Sequence, residues 1–379
     1  LRIAFAAAQL DASLGGVERY AYGLACGLAR RGAQVTAFTA RPPPGPLPAG
    51  LSVEVIDLPV GPRGARERRY DAAVRARIGD LSRWDVVQGF GPTTLHTHHR
   101  IGGGSHAAYL QALARYEPVK ALAARARPLH RERIVRERRI LQGPGVLLAN
   151  SERSRRDACR DAGIDPERVH VIHNGVDLAA FRAEADPRRR QALRSRRGLP
   201  VDALAVAFVG SGFARKGLRF AIEMLTAARA RGARVELVGA GRGRAAPYRR
   251  LARRRGVEGA VHFAGRVDDV ASLYAACDAF LLPSLYEAFG NAALEAMACG
   301  LPVAVPRQSG VAELLRDGRE GCLLLGPDDV RRGAAFLEAL ARDPERRRAL
   351  GAGARATAEA HDLERHVDRV LELYRLERG

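Results

Sequence analysis

Cysteine is scarce in this chain, and what there is follows no pattern. Cys26, Cys159, Cys277, Cys299 and Cys322 are odd in number, widely spaced and form no C-x-x-C pair. Neither a disulfide framework nor a cysteine zinc site is therefore expected, and a reducing, cytoplasmic compartment fits. Long apolar runs are missing too. No stretch approaches the roughly 20 residues that a transmembrane helix needs, so any membrane contact is expected to be peripheral. The short apolar run Ile3–Ala8 leads directly into a glycine turn and an amphipathic helix, and it reads as a first strand rather than a signal peptide. Aromatic residues make up only 6% of the chain, with one tryptophan. They form no stacking platform, and no nucleic-acid module is recognisable, so a nucleic-acid partner is not expected.

What is present is a chain of 379 residues, 47% hydrophobic and 27% charged, the composition of a soluble globular enzyme. Its length suits two domains of roughly 150–200 residues each. The formal charge of +20 and pI of 10.9 come almost entirely from arginine. Such an excess suggests an anionic partner (nucleic acid, an acidic membrane surface or a phosphorylated substrate) or a biased base composition in the source genome.

Strands and helices alternate along the whole length. In the first half, strands are expected at Ile3–Ala8, Gln34–Phe38, Ser52–Leu58, Trp84–Phe90, Val146–Ser151 and, ahead of a turn, from His170, with helices at Tyr20–Arg31 and Arg66–Arg83 between them. A turn at Asn174-Gly175-Val176-Asp177 and a polar, Arg-rich connection at Ala183–Arg197 put the domain boundary near residue 180. The second half reads as strands at Ala203–Gly210, Val235–Val238, Val261–Gly265, Ala279–Pro283, Pro302–Val305 and Gly321–Leu325. Its helices are expected at Leu218–Arg229, Asp268–Cys277, Ser309–Leu315, Leu337–Glu359 and Asp362–Arg378. The pattern is α/β, two doubly wound parallel sheets of Rossmann type, 1–180 and 181–362, followed by a C-terminal helix at 363–379. In such sheets ligands sit beyond the carboxyl ends of the strands, so those loops are where chemistry is expected.

The most informative loop is Ser284–Glu295. Gly290 and Asn291 fall where a helix should begin, so unpaired backbone N–H groups and the positive end of its dipole favour a phosphate there. Glu287 precedes this anion seat and Glu295 is expected about two turns beyond it. A carboxylate accepts hydrogen bonds from hydroxyl pairs, so one glutamate on each side of a diphosphate suits a nucleotide sugar. Arg215 and Lys216, between glycines after the strand Ala203–Gly210, supply a guanidinium fork and an ammonium point charge for the same diphosphate. Gly15 and Gly16 either allow close approach of backbone to a ligand or form a plain tight turn. Arg266 is placed to meet the base or phosphate.

Two further loops of the first half stand out. His96, His98 and His99 lie close together, but no matched carboxylate or cysteine accompanies them, so no metal site is expected. Beyond Gly102–Gly104, His106 is the better candidate to donate a hydrogen bond to a donor oxygen or sugar hydroxyl, with His98 and His99 behind it. Arg125–Arg139, with seven arginines against Glu132 and Glu137, reads as a solvated helix face or as a surface for anionic lipid. The sequence Gly239-Ala240-Gly241-Arg242-Gly243 lacks a full G-x-G-x-x-G and argues against NAD.

Taken together, the Gly15-Gly16-Val17-Glu18 loop, Asn174–Asp177, Arg215-Lys216-Gly217, the Gly265-Arg266 loop and the E-x7-E pair Glu287/Glu295 resemble the retaining glycosyltransferases of family 4. The resemblance spans nearly the whole chain. It implies the GT-B fold, two Rossmann-like domains facing a central cleft, with the last helix crossing back to the N-terminal domain. It also implies transfer of a hexose from a UDP-sugar donor with no metal or other cofactor required. Segments Val209–Gly217 and Val261–Val270 look most like members that glucosylate the lipopolysaccharide inner core. That similarity implies UDP-glucose as donor, a lipid-linked anionic glycan as acceptor, and a monomer peripheral to the inner face of the cytoplasmic membrane. Within this resemblance Glu287, Phe289, Gly290 and Asn291 orient the donor sugar and phosphate, Glu295 holds the ribose, and Gly15 and Gly16 lie over the diphosphate. A different surface glycan or glycolipid as acceptor, a nucleotide-sugar epimerase and a nucleic-acid-binding protein are the alternatives.

Overall fold

A computed structural model of the chain describes residues 1–11 and 15–377, and every count below refers to these. The chain divides into two compact units. One comprises residues up to Gly175 with the segment from Leu363, the other Val176–Asp362.

The N-terminal unit holds strands β1 (Arg2–Ala6), β2 (Gln34–Thr39), β3 (Leu51–Val55), β4 (Val86–Phe90), β5 (His98–Ile101), β6 (Val146–Ala149) and β7 (Val169–Val171). All pair in parallel, in the order β3-β2-β1-β4-β5-β6-β7. Helices α1 (Gly16–Arg30), α2 (Arg63–Ile78), α3 (His106–Tyr116), α4 (Pro118–Arg125), α5 (Pro128–Gln142) and α6 (Glu152–Ala162) connect them. Parallel strands require such crossovers and bury both faces of the sheet. Hence β1 and β4 are apolar almost throughout rather than alternating.

The second unit begins with α7 (Pro187–Ser195) and continues through β8 (Leu204–Val209), α8 (Leu218–Ala230), β9 (Val235–Ala240), α9 (Ala246–Arg254), β10 (Val261–Gly265), α10 (Val270–Ala276) and β11 (Ala279–Leu281). It ends with α11 (Asn291–Ala298), β12 (Val303–Pro306), β13 (Gly321–Leu324), α12 (Val330–Arg342) and α13 (Pro344–Glu359). Its sheet is parallel, in the order β10-β9-β8-β11-β12-β13. The last helix, α14 (Leu363–Leu376), packs in the first unit.

Several expectations change. The three histidines do not share a loop: His98 and His99 are buried inside β5, because parallel pairing with β4 and β6 starts at His98. The helix expected to reach Arg83 stops at Ile78, followed by a 3-10 turn at Leu81–Arg83 that Asp80 caps. The supposed connection Ala183–Arg197 contains α7. Its Arg194 is buried and binds Asp278 and the carbonyls of Pro200 and Ala203. The segment Leu337–Glu359 is two helices, because Asp343 caps a new one ahead of Pro344. Ser309–Leu315 holds a 3-10 turn, Gly310–Leu314, rather than an α-helix. The expected helix end at Arg378 lies outside the described residues.

Candidate active site

In the second unit the loops after β8 and β11, neighbours in the sheet, bring the candidate residues together. Gly217 ends the first loop at φ 76°, a left-handed conformation, and caps α8. A Cβ there would overlap the carbonyl of Pro283 in the second loop. Glycine is thus required twice, for the turn and for the approach of the two backbones. The amide of Leu285 donates to the carbonyl of Arg215 at 2.9 Å, fastening one loop to the other.

This contact delivers Lys216 to Glu287. The ammonium Nζ and carboxylate Oε2 form an ion pair whose side chains are each 11% exposed. Ser284, buried in the loop after β11, donates from Oγ to the same Oε2 at 3.3 Å. Burial alone would push the Glu287 carboxyl up, but Lys216, Arg215 and the hydrogen bonds from Lys216 and Ser284 together hold it below its ordinary value. Burial pulls the Lys216 ammonium down from its ordinary value, against the attraction of Glu287. Arg215 is half-buried and, among the described residues, its guanidinium has no carboxylate partner. It leaves a net positive charge beside the pair.

Beyond Glu287 the chain turns at Gly290, φ 116°, and α11 starts at Asn291. The first amides of a helix have no partner within it, so the site gains N–H donors and the positive end of a dipole. The turn is buttressed from behind, as Gly310 and Val311 donate to the carbonyls of Glu287 and Phe289 at 3.2 and 2.7 Å. Phe289 points into the core, 2% exposed, so its backbone rather than its ring faces the loop. Glu295 lies only about one turn into α11, not two, since a turn takes 3.6 residues. It is buried, with its carboxylate 3.5 Å from the hydroxyl of Tyr274, which also donates to the carbonyl of Ala292. Arg266 follows β10 at the edge of the sheet, is exposed, and is tied to Asp268 at 2.8 Å. It is not drawn into the Lys216–Glu287 cluster.

In the first unit Gly15 and Gly16 open α1, a helix of 15 residues. A Cβ on Gly15 would meet the carboxylate of Glu18 at 2.7 Å. His106 is the first residue of α3, next to the cap Ser105, and is buried. Its Nε2 lies 2.8 Å from Nδ1 of His130, the rings stacked, and its amide donates to Glu137 at 2.8 Å. His98 packs against the ring of Tyr374, and burial lowers its pKa to about 4. His99 is pushed well below its ordinary value by the same cause. Both are neutral core residues.

Sequence reasoning assigned no role to Ser284, Tyr274 or the Gly217–Pro283 contact. Ser284 stood in the motif, but the direction of its hydroxyl depends on how the loop closes.

Two family models divide the chain between them: Glycosyltransferase Family 4 matches residues 14–180, and Glycosyl transferases group 1 matches residues 203–343. By sequence, the chain is 31% identical to a D-inositol 3-phosphate glycosyltransferase of Xylanimonas cellulosilytica, covering 95% of this chain and 91% of the relative. It is 32% identical to one of Thermomonospora curvata, over 95% and 90%. Among solved structures it shares the fold of WaaG, a glycosyltransferase involved in lipopolysaccharide biosynthesis, with a TM-score of 0.81 and 23% identity over 98% of this chain and 99% of that one. HepE of Anabaena, solved in complex with UDP-glucose, aligns with a TM-score of 0.71 and 20% identity over 98% of each chain. With relatives above 30% identity along nearly its full length and two parallel-sheet Rossmann-like units, this chain belongs to glycosyltransferase family 4, of the GT-B type.

Proposed function

We propose that the protein transfers a hexose, with retention of configuration, from a UDP-sugar to a hydroxyl of an anionic acceptor, a lipid-linked glycan of the lipopolysaccharide inner-core kind. The observation that carries this reading is the Lys216–Glu287 pair at the start of α11, with the uncompensated charge of Arg215 beside it. A diphosphate leaving group develops negative charge as its bond to the sugar breaks. Arg215, Lys216 and the first amides of α11 are preorganised to meet that charge, without obligatory help from a metal. Glu287, released in part as Lys216 turns to the diphosphate, accepts hydrogen bonds from the transferred sugar, and Glu295 from the ribose. Within the second unit Arg266, exposed after β10, supplies the contacts to the base. A double displacement would need a carboxylate nucleophile on the face opposite the leaving group. No residue takes that part in this reading, and substitution proceeds on the same face, assisted by the leaving phosphate.

The structure of HepE with UDP-glucose supports UDP-glucose as donor. For a lipid-linked acceptor the support is the surface of α4 and α5. Val119 and Leu122 are 83% and 71% exposed there beside the arginines of 125–139, an apolar and basic face suited to the cytoplasmic side of an anionic membrane. A second reading replaces the lipid-linked glycan by a small phosphorylated polyol, and the names of the sequence relatives favour it. Incubation of the enzyme and UDP-glucose with heptosylated lipid A, with inositol phosphates, and with no acceptor separates the readings. Transfer to the first supports the proposal and transfer to the second the alternative. A new epimer with no acceptor present would overturn both.

A further inference from the structure

We propose that the first unit carries a second anion site, a basic pocket between α2 and α5 that binds a phosphate group away from the donor loops. Its volume is about 550 Å³, within the roughly 300–1,000 Å³ of small-molecule sites. Arg75 projects from α2, Thr94 and Leu95 from the β4–β5 connection, and Arg138, Arg139 and Gln142 from α5.

Topology separates this pocket from the loops of Gly15, Gly16 and His106. Those follow the carboxyl ends of β1 and β5. Helices that cross between parallel strands run back against them, so the last turns of α2 and α5 lie beside the amino ends of β4 and β6. Arg75, Arg139 and Gln142 occupy those last turns.

Charge distribution points to the ligand. Elsewhere on the two helices carboxylates accompany arginines: Arg68 with Glu132 at 3.7 Å, Arg133 with Glu137 at 3.0 Å, and Arg136 with Glu67. At the pocket the nearby carboxylate, Asp71, is engaged by Thr94 and, among the described residues, pairs with no arginine. Arg75 and Arg139 have no ion pair among the described residues, and Arg138 donates only to the carbonyl of Asp161, at 3.1 and 3.0 Å. Arg75, Arg138 and Arg139 are all exposed, and the positive charge they gather on one cavity favours an anion there. The walls are already fixed. Asp71 accepts three hydrogen bonds from Thr94 at 2.7–3.0 Å, and Gln142 donates to the carbonyl of Ala162 at 2.7 Å. A phosphate matches the guanidinium forks, and Leu95 with the exposed Val135 offers contact to a small apolar part of the ligand.

The test uses the full chain with excess UDP present, so that any nucleotide site is occupied. Glycerol phosphate is titrated by calorimetry, and cosedimentation is measured with phosphatidylglycerol and phosphatidylcholine vesicles. Wild type is compared with Arg75→Gln/Arg139→Gln and with Arg254→Gln/Arg348→Gln, a control that removes the same charge from the second unit. The expected result is glycerol phosphate binding that weakens about tenfold or more in the pocket variant alone, the effect of losing charge-assisted bonds, with unchanged melting. If glycerol phosphate does not bind but phosphatidylglycerol vesicles lose the pocket variant to that extent, the phosphate is that of a lipid. If neither probe binds wild type, or the pocket variant binds no more weakly than the control, the proposal is overturned.

Discussion

Lys216 and Glu287 each carry a buried charge that the other compensates, so neither can be removed quietly. On the proposed function Lys216→Ala deletes a donor to the leaving diphosphate, and turnover is expected to fall about 10²–10³-fold, the cost of one preorganised electrostatic contact. Lys216→Arg should restore little, because a planar fork does not replace a point charge in a packed loop. Steady-state rates of UDP release measure both. The depressed carboxyl of Glu287 also links stability to pH. A group whose pKa is lowered by folding stabilises the fold above its unfolded value, about 4.3 for glutamate. That contribution is lost as pH falls through the lower, folded value. Glu287→Gln is therefore expected to melt with a shallower dependence on pH below about 4.5 than wild type does, and calorimetric scans across that range would show it. At this scale placement was legible: Lys216 and Glu287 were expected on loops after strands, and the fold pairs them. It was not legible for His98 and His99, whose burial follows from strand pairing with distant segments. Nor could the sequence show that Ser284 turns its hydroxyl to Glu287.

Loops and helices set these side chains in place, and glycines show how tightly. Gly212 and Gly217 have nearly the same φ, 79° and 76°, yet a Cβ at 212 meets nothing within 4 Å while one at 217 overlaps Pro283. Gly212→Ala is expected to cost only about 1 kcal/mol of left-handed strain. Gly217→Ala adds steric overlap and should cost more than about 2 kcal/mol, as well as separating Lys216 from Glu287. Denaturant titration of the two variants checks the contrast. A second clamp holds the start of β11: Asp278 binds Arg190 at 2.6 Å, Arg194 at 2.9 Å and the amide of Ala205 at 2.8 Å. Asp278→Ala strands the buried Arg194 and should destabilise the second unit by about 3–5 kcal/mol. Periodicity revealed most strands, and the start of α11 was legible from Gly290-Asn291. The helix α7 was missed because its polar composition, with Arg188, Arg189 and Arg190 in its first turn, reads as linker. Its buried side, Leu193 and Arg194, forms only in the folded unit, where Arg194 meets Asp278 some 80 residues on.

On the scale of the molecule, the order of strands and helices was enough to indicate two parallel sheets, whereas the membership of the C-terminal segment depends on long-range packing. From α14, Val367, Val370, Leu371, Leu373 and Tyr374 enter the core of the first unit with Ile3, Phe5 and Leu24. Val367 fits against Gly27 of α1. His366 bridges the carbonyl of His173 at 2.7 Å and the hydroxyl of Tyr20 at 2.9 Å, and burial holds it neutral, its pKa lowered to about 3. Five such side chains contribute about 1.5–3 kcal/mol each, comparable to the net stability of a whole domain. Ending the chain at Asp362 is therefore expected to abolish cooperative unfolding of the first unit while the second still melts. The central claim, that Arg215 and Lys216 hold the diphosphate of a nucleotide sugar beside Glu287, is tested most directly by calorimetric titration of UDP-glucose into wild type and Arg215→Ala/Lys216→Ala. Binding to wild type that weakens by about two orders of magnitude or more in the double variant, as the loss of two charge-assisted contacts requires, is the expected result. Equal affinity in the two proteins would contradict the account.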